Sequence, residues 1–336
     1  MTGENRGRPR RRAYDAPVRA PLAGLVWLAA CYTPEIATGV PCAPNGRCPE
    51  GQSCMAGVCG VPGLFDAAID TPPPDKDGDG RPDMVDNCRD DPNPDQENED
   101  NDAFGDACDP CPVFADVTVE DPDHDNISNA CDPNPMLSGD RIETFESFHH
   151  GLPATWMPQT GTWTAGSDAI RIDAPAETPQ SIVVPTSATD HIQVFASVTI
   201  ETVASAVVHF FEVSLPNDQP RNLGIGCQVV QTGMDAGTRY LSLWDGLDPA
   251  TNLPPRPSGV ERGQAQFMWK EGITYVVSLK RIGTSYTCRV TSPDGAVPLE
   301  ANGSSSLGAS VASPTVVLRA RSLAAHVNWV MVIRSP

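Results

Sequence analysis

The chain has 336 residues, enough for one full-size core with smaller units beside it. Its 43 acidic residues outnumber 23 basic ones, and the net charge of −20 repels phosphate and excludes a nucleic-acid partner. Eleven cysteines point to metal or thiol chemistry in a cytosolic chain, or to disulfides in an exported one. The N-terminus chooses between these. Residues 1–19 are basic, with Arg6, Arg8, Arg10, Arg11, Arg12 and Arg19. An apolar run from Ala20 to Ala30 follows, too short to cross a bilayer and ending in small residues. Basic start, apolar middle and small-residue end are the layout of an export signal over residues 1–30.

The ending Leu28-Ala29-Ala30-Cys31 resembles the bacterial lipobox. That resemblance implies cleavage before Cys31 and its acylation, so that the protein is held to a membrane by its lipid. Each buried CH₂ contributes about 0.8 kcal/mol, and two or three chains anchor firmly. Tyr32, where Asp favours inner-membrane retention in enteric lipoproteins, implies the outer membrane or cell surface. A plain cleaved signal would leave Cys31 a thiol. With Cys31 lipidated, ten cysteines remain in even local sets: Cys42, Cys48, Cys54 and Cys59; Cys88 and Cys108; Cys111 and Cys131; Cys227 and Cys288. Even sets suit an oxidising compartment.

Residues 31–70 form a cysteine-rich stalk. Its four cysteines lie among Gly, Pro and Asn with almost no apolar residues, so two disulfides must replace a core. Three pairings are open. The segment resembles the short stalk modules of bacterial surface lipoproteins.

Residues 71–135 hold the charge. From Asp75 to Asp132 there are 20 Asp and Glu against Lys76, Arg81 and Arg89. A charge block alone suggests a solvated tail. Spacing argues otherwise. Three twelve-residue loops start at Asp75, Asn98 and Asp121, 23 residues apart, and Cys88 to Cys111 and Cys108 to Cys131 keep that interval. A fixed period marks a repeat array. Calcium takes six to eight oxygen ligands, which loops supply from positions 1, 3, 5, 7, 9 and 12. The first loop offers Asp75, Asp77, Asp79, the Arg81 carbonyl, Asp83 and Asp86. The second offers Asn98, Asp100, Asp102, the Phe104 carbonyl, Asp106 and Asp109. The third offers Asp121, Asp123, Asp125, the Ile127 carbonyl, Asn129 and Asp132. Position 6 needs a positive φ. Gly80 meets that need, Asn126 tolerates it and Ala103 does not, so the second loop is expected to be the most strained. Flanking prolines and Asp rather than Glu at position 12 exclude helix-loop-helix calcium hands.

The pattern resembles thrombospondin type 3 repeats. The matching residues are Asp-Lys-Asp-Gly-Asp-Gly-x-x-Asp-x-x-Asp-Asn-Cys at 75–88, Asn93-Pro-Asp-Gln96 and Gly105-Asp-Ala-Cys-Asp109. The resemblance covers residues 75–133. It implies a chain wrapped around calcium ions with little apolar core, and disulfides Cys88–Cys108 and Cys111–Cys131. Each would close a loop of about 20 residues, for which chain entropy gives roughly 3 kcal/mol. Folding is expected to depend on calcium, because ion binding supplies what the missing core does not.

From residue 141 the texture turns to short alternating runs rich in Val, Ile, Thr and aromatics. They are Ser181–Val184, His191–Ile200, Ala206–Val213, Gly226–Val230, Tyr240–Trp244, Ile273–Leu279, Tyr286–Val290, Pro314–Arg319 and His326–Ile333. So many short strands predict a two-sheet β-sandwich over residues 141–336, with Cys227 and Cys288 on strands and free to pair. Phe145-Glu-Ser-Phe148, Leu152-Pro-Ala-Thr-Trp156, Gly161-Thr-Trp163, Ala169-Ile-Arg-Ile172 and the closing His326–Ile333 resemble a concanavalin-A-like (laminin-G-like) jelly roll. The hydrolase branch of that fold carries Glu-x-Asp-x-Glu, which is absent here. His149 and His150 lack a Ser or Cys partner motif and suit the surface. Trp156, Trp163, Trp244, Trp269 and Trp329 could stack on sugars but suit a sandwich core better.

The chain is thus expected to be mostly β. It is expected to be a calcium-binding surface lipoprotein whose stiffened repeats present a non-enzymatic sandwich to a glycan or extracellular protein, in adhesion. The alternative is an anchored or secreted carbohydrate-active hydrolase. A sandwich fold alone supplies no ligand.

Overall fold

Alternating apolar residues give strands throughout, and no helix forms among the described residues. The computed structural model describes residues 40–49, 52–55, 57–60, 73–115, 119–175, 178–187, 191–204, 206, 208–218, 223–233, 238–247, 260–292, 298–304 and 315–336. The signal at 1–30 and the lipidation candidate Cys31 lie outside them. The chain divides into two compact units, residues 1–71 and 72–336.

The first unit holds β1 (Val40–Pro41), β2 (Ser53–Met55) and β3 (Val58–Gly60) in the order β1-β3-β2. Two disulfides, Cys42–Cys54 and Cys48–Cys59, settle which of the three pairings forms. They cross-link a sheet too small to bury a core.

The second unit contains the acidic repeats and the sandwich. Its strands are β4 (Arg141–Glu146), β5 (Met157–Thr160), β6 (Trp163–Ala165), β7 (Ile170–Ala174), β8 (Gln180–Pro185) and β9 (His191–Val203). There follow β10 (Val208–Asp218), β11 (Leu223–Thr232), β12 (Thr238–Leu247), β13 (Val260–Gln266), β14 (Thr274–Ile282) and β15 (Ser285–Thr291). The last are β16 (Leu299–Ser304), β17 (Thr315–Arg321) and β18 (Leu323–Arg334). They form a seven-stranded sheet, β13-β12-β11-β10-β17-β8-β5, and an eight-stranded sheet, β16-β15-β14-β9-β18-β7-β6 with β4 also on β18. All nine runs expected from alternation are strands. The two-sheet sandwich is the observed fold.

The inner faces make the main core. Val194, Ala196, Val198 and Ile200 of β9 face Phe211 and Val213 of β10 and Val316 and Leu318 of β17. Cys227 on β11 is bonded to Cys288 on β15, so one disulfide staples the two sheets. Its closed loop of 61 residues contributes about 4 kcal/mol by chain entropy. Trp156, Trp163, Trp269 and Trp329 are all buried, so these four are core rather than open sugar platforms.

A second core lies on the outer face of the eight-stranded sheet. There Phe195, Trp329, Met331 and Ile333 pack against Cys111, Val113, Ile127 and Cys131 of the repeats. A β-bulge between Val327 and Trp329 makes this possible. Before it, Ala325 and Val327 point into the main core; after it, Val330 and Val332 do. The change of parity turns Trp329, Met331 and Ile333 outward together. Phe114 meets Phe195 and Trp329 edge-on, with ring centroids 5.8 and 6.4 Å away. The repeats, lacking an apolar core of their own, share one with the sandwich.

The seven-stranded sheet buries a charge pair. Arg319 Nη1 donates to Glu212 Oε1 at 2.9 Å, and both side chains are fully buried. Gln228 Nε2 donates to Glu212 Oε2 at 2.6 Å. Arg319→Met strands a buried carboxylate, and urea unfolding in calcium should show a loss of about 3–5 kcal/mol. Adding Glu212→Gln should restore much of it.

Candidate metal centre

Each acidic loop is built from short side chains that fold back on their own backbone. Asp75 accepts from the N–H groups of Gly78 (2.8 Å) and Gly80 (3.0 Å). Asp121 repeats this with His124 (2.8 Å) and Asn126 (3.0 Å). Further along, Asp79 accepts from Arg81 N–H, Asp102 from Phe104 and Asp125 from Ile127, at 2.7, 2.7 and 3.1 Å. At position 12, Asp86, Asp109 and Asp132 hold the N–H two residues on, at 2.8, 2.7 and 2.6 Å. At position 9 the backbone N–H of Asp83, Asp106 and Asn129 bonds Pro74, Glu97 and Glu120 carbonyls. The same bonds recur at the same positions, so the 23-residue period is a structural repeat.

At position 12 these bonds engage Oδ1 of Asp86 and Asp132 and leave Oδ2 turned inward, whereas Asp75, Asp79, Asp121 and Asp125 accept through both oxygens. Asp75, Asp77 and Asp79 place oxygens within 4.8 Å of one another, and so do Asp121, Asp123 and Asp125. In the second loop the gathered set is Asp100, Asp102 and Asp109. Buried oxygens that find no hydrogen-bond donor include Asp77 Oδ2, Asp86 Oδ2, Asn98 Oδ1, Asp106 Oδ2, Asp132 Oδ2 and both of Asp123. Unpartnered buried oxygens are costly unless something positive meets them. An all-oxygen set of carboxylates and carbonyls suits a hard cation such as calcium.

The loops differ at the turns. Gly78 and Gly80 sit at φ 80° and 92°, and His124 and Asn126 at 64° and 71°. In the second loop only Asn101, at position 4, is left-handed; Ala103 stays at negative φ. The expected strain is avoided rather than borne. The cost appears at position 1: Asn98 Nδ2 donates to the Asp102 carbonyl at 3.1 Å, instead of its side chain accepting from the turn. Asn129 also departs from its expected inward place. Its side chain is exposed and donates to Glu120 Oε2 at 3.4 Å.

Other partners were not legible in sequence. Ile127, expected only as a carbonyl donor, buries its side chain in the shared core. Asp125 Oδ2 accepts from the Gly139 and Asp140 N–H groups, at 3.1 and 2.7 Å, tying the third loop to the start of the sandwich. Disulfides Cys88–Cys108 and Cys111–Cys131 close the repeats, the pairing the resemblance implies. Gly105 is where the chains pass closest: a Cβ there would lie 2.5 Å from the Asn87 side chain. His149 Nε2 lies 3.1 Å from Glu99 Oε1, and His150 Nε2 3.1 Å from Asp95 Oδ2. Both histidines thus face repeat carboxylates, a fact no spacing foretells.

Crowding shows in proton affinity. Burial, with the Glu99, Glu97 and Asp100 charges behind it, pushes the Asp106 carboxyl up to about 6, although the Glu99 N–H opposes this. Burial first, then the Asp140 carboxyl, pushes Asp132 up to about 7. Burial lowers His149, but the Glu99 hydrogen bond and the Glu97, Glu99 and Asp168 charges outweigh it and raise the imidazole above 6.5.

No protein-family model matches the chain, and no curated protein matches it. Solved structures share its outline. The CBM2 module of the Lactobacillus casei BL23 phage J-1 evolved Dit is 12% identical, with a TM-score of 0.45 over 58% of this chain and 96% of that one. Carbohydrate-binding module CBM66 from Bacillus subtilis is 14% identical, with a TM-score of 0.37 over 52% and 91%. Peanut lectin is 10% identical, with a TM-score of 0.41 over 58% and 97%. These are likenesses of strand arrangement. The five disulfides are those of an extracellular protein.

A pH dependence follows for the ion-free protein. Asp106 and Asp132 bind protons more tightly folded than unfolded, where Asp titrates near 3.9. That favours the folded state at low pH and fades as pH rises through about 6 and about 7. His149, raised above 6.5, acts in the same direction. In excess chelator the unfolding midpoint should therefore fall between pH 5 and pH 8. Calorimetric scans across that range check it, and a rising midpoint contradicts it.

Proposed function

We propose that the chain is an exported calcium-binding protein in which bound ions hold the repeat segment against a ligand-binding β-sandwich. The observation that carries this is the set of buried, donor-less oxygens in all three loops. Each loop supplies a separate hard-oxygen site from the residues named above, in a weave that resembles thrombospondin type 3 repeats. Bound calcium would supply the positive charge those oxygens lack. The chain's own residues do the rest. Short Asp side chains fix the ligand oxygens to the backbone, two disulfides limit the unfolded loops, and Ile127 and Val113 dock the segment.

On this reading the repeats act as a calcium-set brace rather than a sensor, and the sandwich meets the ligand, for which we propose a saccharide. Attachment to a membrane through Cys31 is carried by residues 20–31 alone.

Calorimetric titration of the chelated protein with calcium tests the reading. Expected are saturable heats, a change in circular dichroism and a rise in the unfolding midpoint. A hundredfold excess over Kd stabilises by about 2.7 kcal/mol per site. Asp77→Ala and Asp123→Ala should each remove one site and leave the others. Absence of heat, spectral change and midpoint shift up to millimolar calcium overturns the proposal.

A further inference from the structure

The outer face of the eight-stranded sheet is divided. Its β18 and β9 half is covered by the repeats. Its β14–β16 half carries polar side chains in cross-strand rows. Pairing places Gln193, Lys280 and Thr287 side by side, and Phe195, Ser278 and Arg289 in the next row. Where the covered and open halves meet there is a cavity of about 310 Å³. These two rows line it from the sheet. Phe114 and residues 129–132, the last part of the third acidic loop, line it from the repeats. The size lies at the low end of small-molecule sites, which run from about 300 to 1,000 Å³.

We infer that this seam cavity binds a carboxylated saccharide unit, and that it does so only when the third loop holds calcium. This rests on the calcium reading above and extends it to a ligand. Three observations carry it. First, the lining suits a hydroxylated ring. Ser278 and Gln193 can each donate and accept, Thr287 Oγ1 donates to Asn302 Oδ1 at 2.7 Å and can still accept, and Phe114 and Phe195 stand edge-on to one another beside them. Second, the cavity gathers two cations in a chain of net charge −20. Lys280 is half-buried and spends one N–H on the Pro133 carbonyl, keeping two for a ligand. Its desolvation lowers its proton affinity, and a ligand carboxylate would restore the balance. Arg289 is exposed and paired with Glu300, whose Oε1 accepts from Nε at 2.9 Å and from Nη2, which leaves the Nη1 side of the guanidinium for a ligand carboxylate.

Third, Asp132 belongs to both sites. It is the position-12 carboxylate of the third loop, and it lines the cavity. Ion-free, its Oδ2 meets no donor, and the wall it belongs to offers a carboxylated sugar only a further acceptor. With an ion on the loop that oxygen is engaged and the 129–132 wall is fixed. Coupling of this kind is reciprocal, so the sugar should also tighten calcium by the same factor.

The test uses the full chain on a printed array of uronic-acid- and sialic-acid-terminated oligosaccharides beside their neutral counterparts, in millimolar calcium and in chelator. Calcium heats are measured on the same samples. Expected is binding to acid-terminated spots in calcium, weaker by about tenfold or more in chelator. Arg289→Gln and Lys280→Gln should each weaken it about tenfold while calcium stoichiometry stays unchanged. Equal binding to neutral and acidic spots overturns the inference, as does binding indifferent to chelator or to both substitutions. If calcium binds and folds the chain but no acidic spot is bound, this inference fails and the calcium reading stands. If no calcium heat appears, the calcium reading fails and takes the inference with it.

Discussion

Carboxylate oxygens turned inward, close together and without donors, set the terms for the rest of the second unit. Repulsion among them favours an expanded chain, and burial adds the cost of lost water. Every local device around them answers that cost. Side chains bond backbone N–H groups a few residues on, and at Asp86 and Asp132 this fixes one oxygen and aims the other inward. Disulfides 20 residues apart shorten the loops that must close. Prolines on both sides of each loop keep helix out. None of these devices supplies positive charge.

The apolar seam resolves a second difficulty. A segment with one Ile, two Phe and a few Val cannot bury a core of its own. It borrows the outer face of a sheet that is already stable, because that sheet packs its inner face in the sandwich and is stapled through Cys227–Cys288. Stability is therefore unequal across the unit. The sandwich depends on its core, and the repeats depend on their disulfides and on that face. Extracellular modules manage with calcium Kd near 10⁻⁴–10⁻³ M.

The sequence made some of this legible and left the rest hidden for physical reasons. The 23-residue period, the acidic loops and the nine alternating strands are local patterns, and local patterns can be read. β13 and β16 were missed because Val-Glu-Arg-Gly-Gln-Ala-Gln and Leu-Glu-Ala-Asn-Gly-Ser lack an apolar face. They are flank strands that a neighbour completes, with Gly263 so close to β16 that a Cβ would lie 2.8 Å from the Asn302 carbonyl. The bulge at Val327–Trp329 was also invisible, since His326–Ile333 reads as one alternating run. Without it, Trp329 and Met331 would point into the core and leave the repeats nowhere to dock. The acidic clusters were legible as a list, but Asn98 and Asn129 show that spacing does not fix orientation.

A brace and a spacer place different demands on the same loops. A spacer needs only that successive loops hold one another, which the disulfides and the loop-to-loop bonds of Asn87 and Gly105 already achieve. Here the last loop does more. Asp125 holds the Gly139 and Asp140 N–H groups, Lys280 reaches the Pro133 carbonyl, and Asn134 bonds Ser335 Oγ at 3.0 Å near the end of the chain. Those bonds join the third loop to β14 and to the residues flanking β4 and β18. An ion that orders this loop therefore orders part of the sheet's open face as well. The first loop has no such ties among the described bonds; its neighbours are Pro94, Asn93 and Asp90 of the repeats themselves. Three loops of one chemical design thus differ in mechanical role. The first is internal to the segment. The second is tied by His149, His150 and Ser147 through Asp95, Glu97 and Glu99. The third is continuous with the sandwich, so a change in that loop reaches the sandwich surface directly.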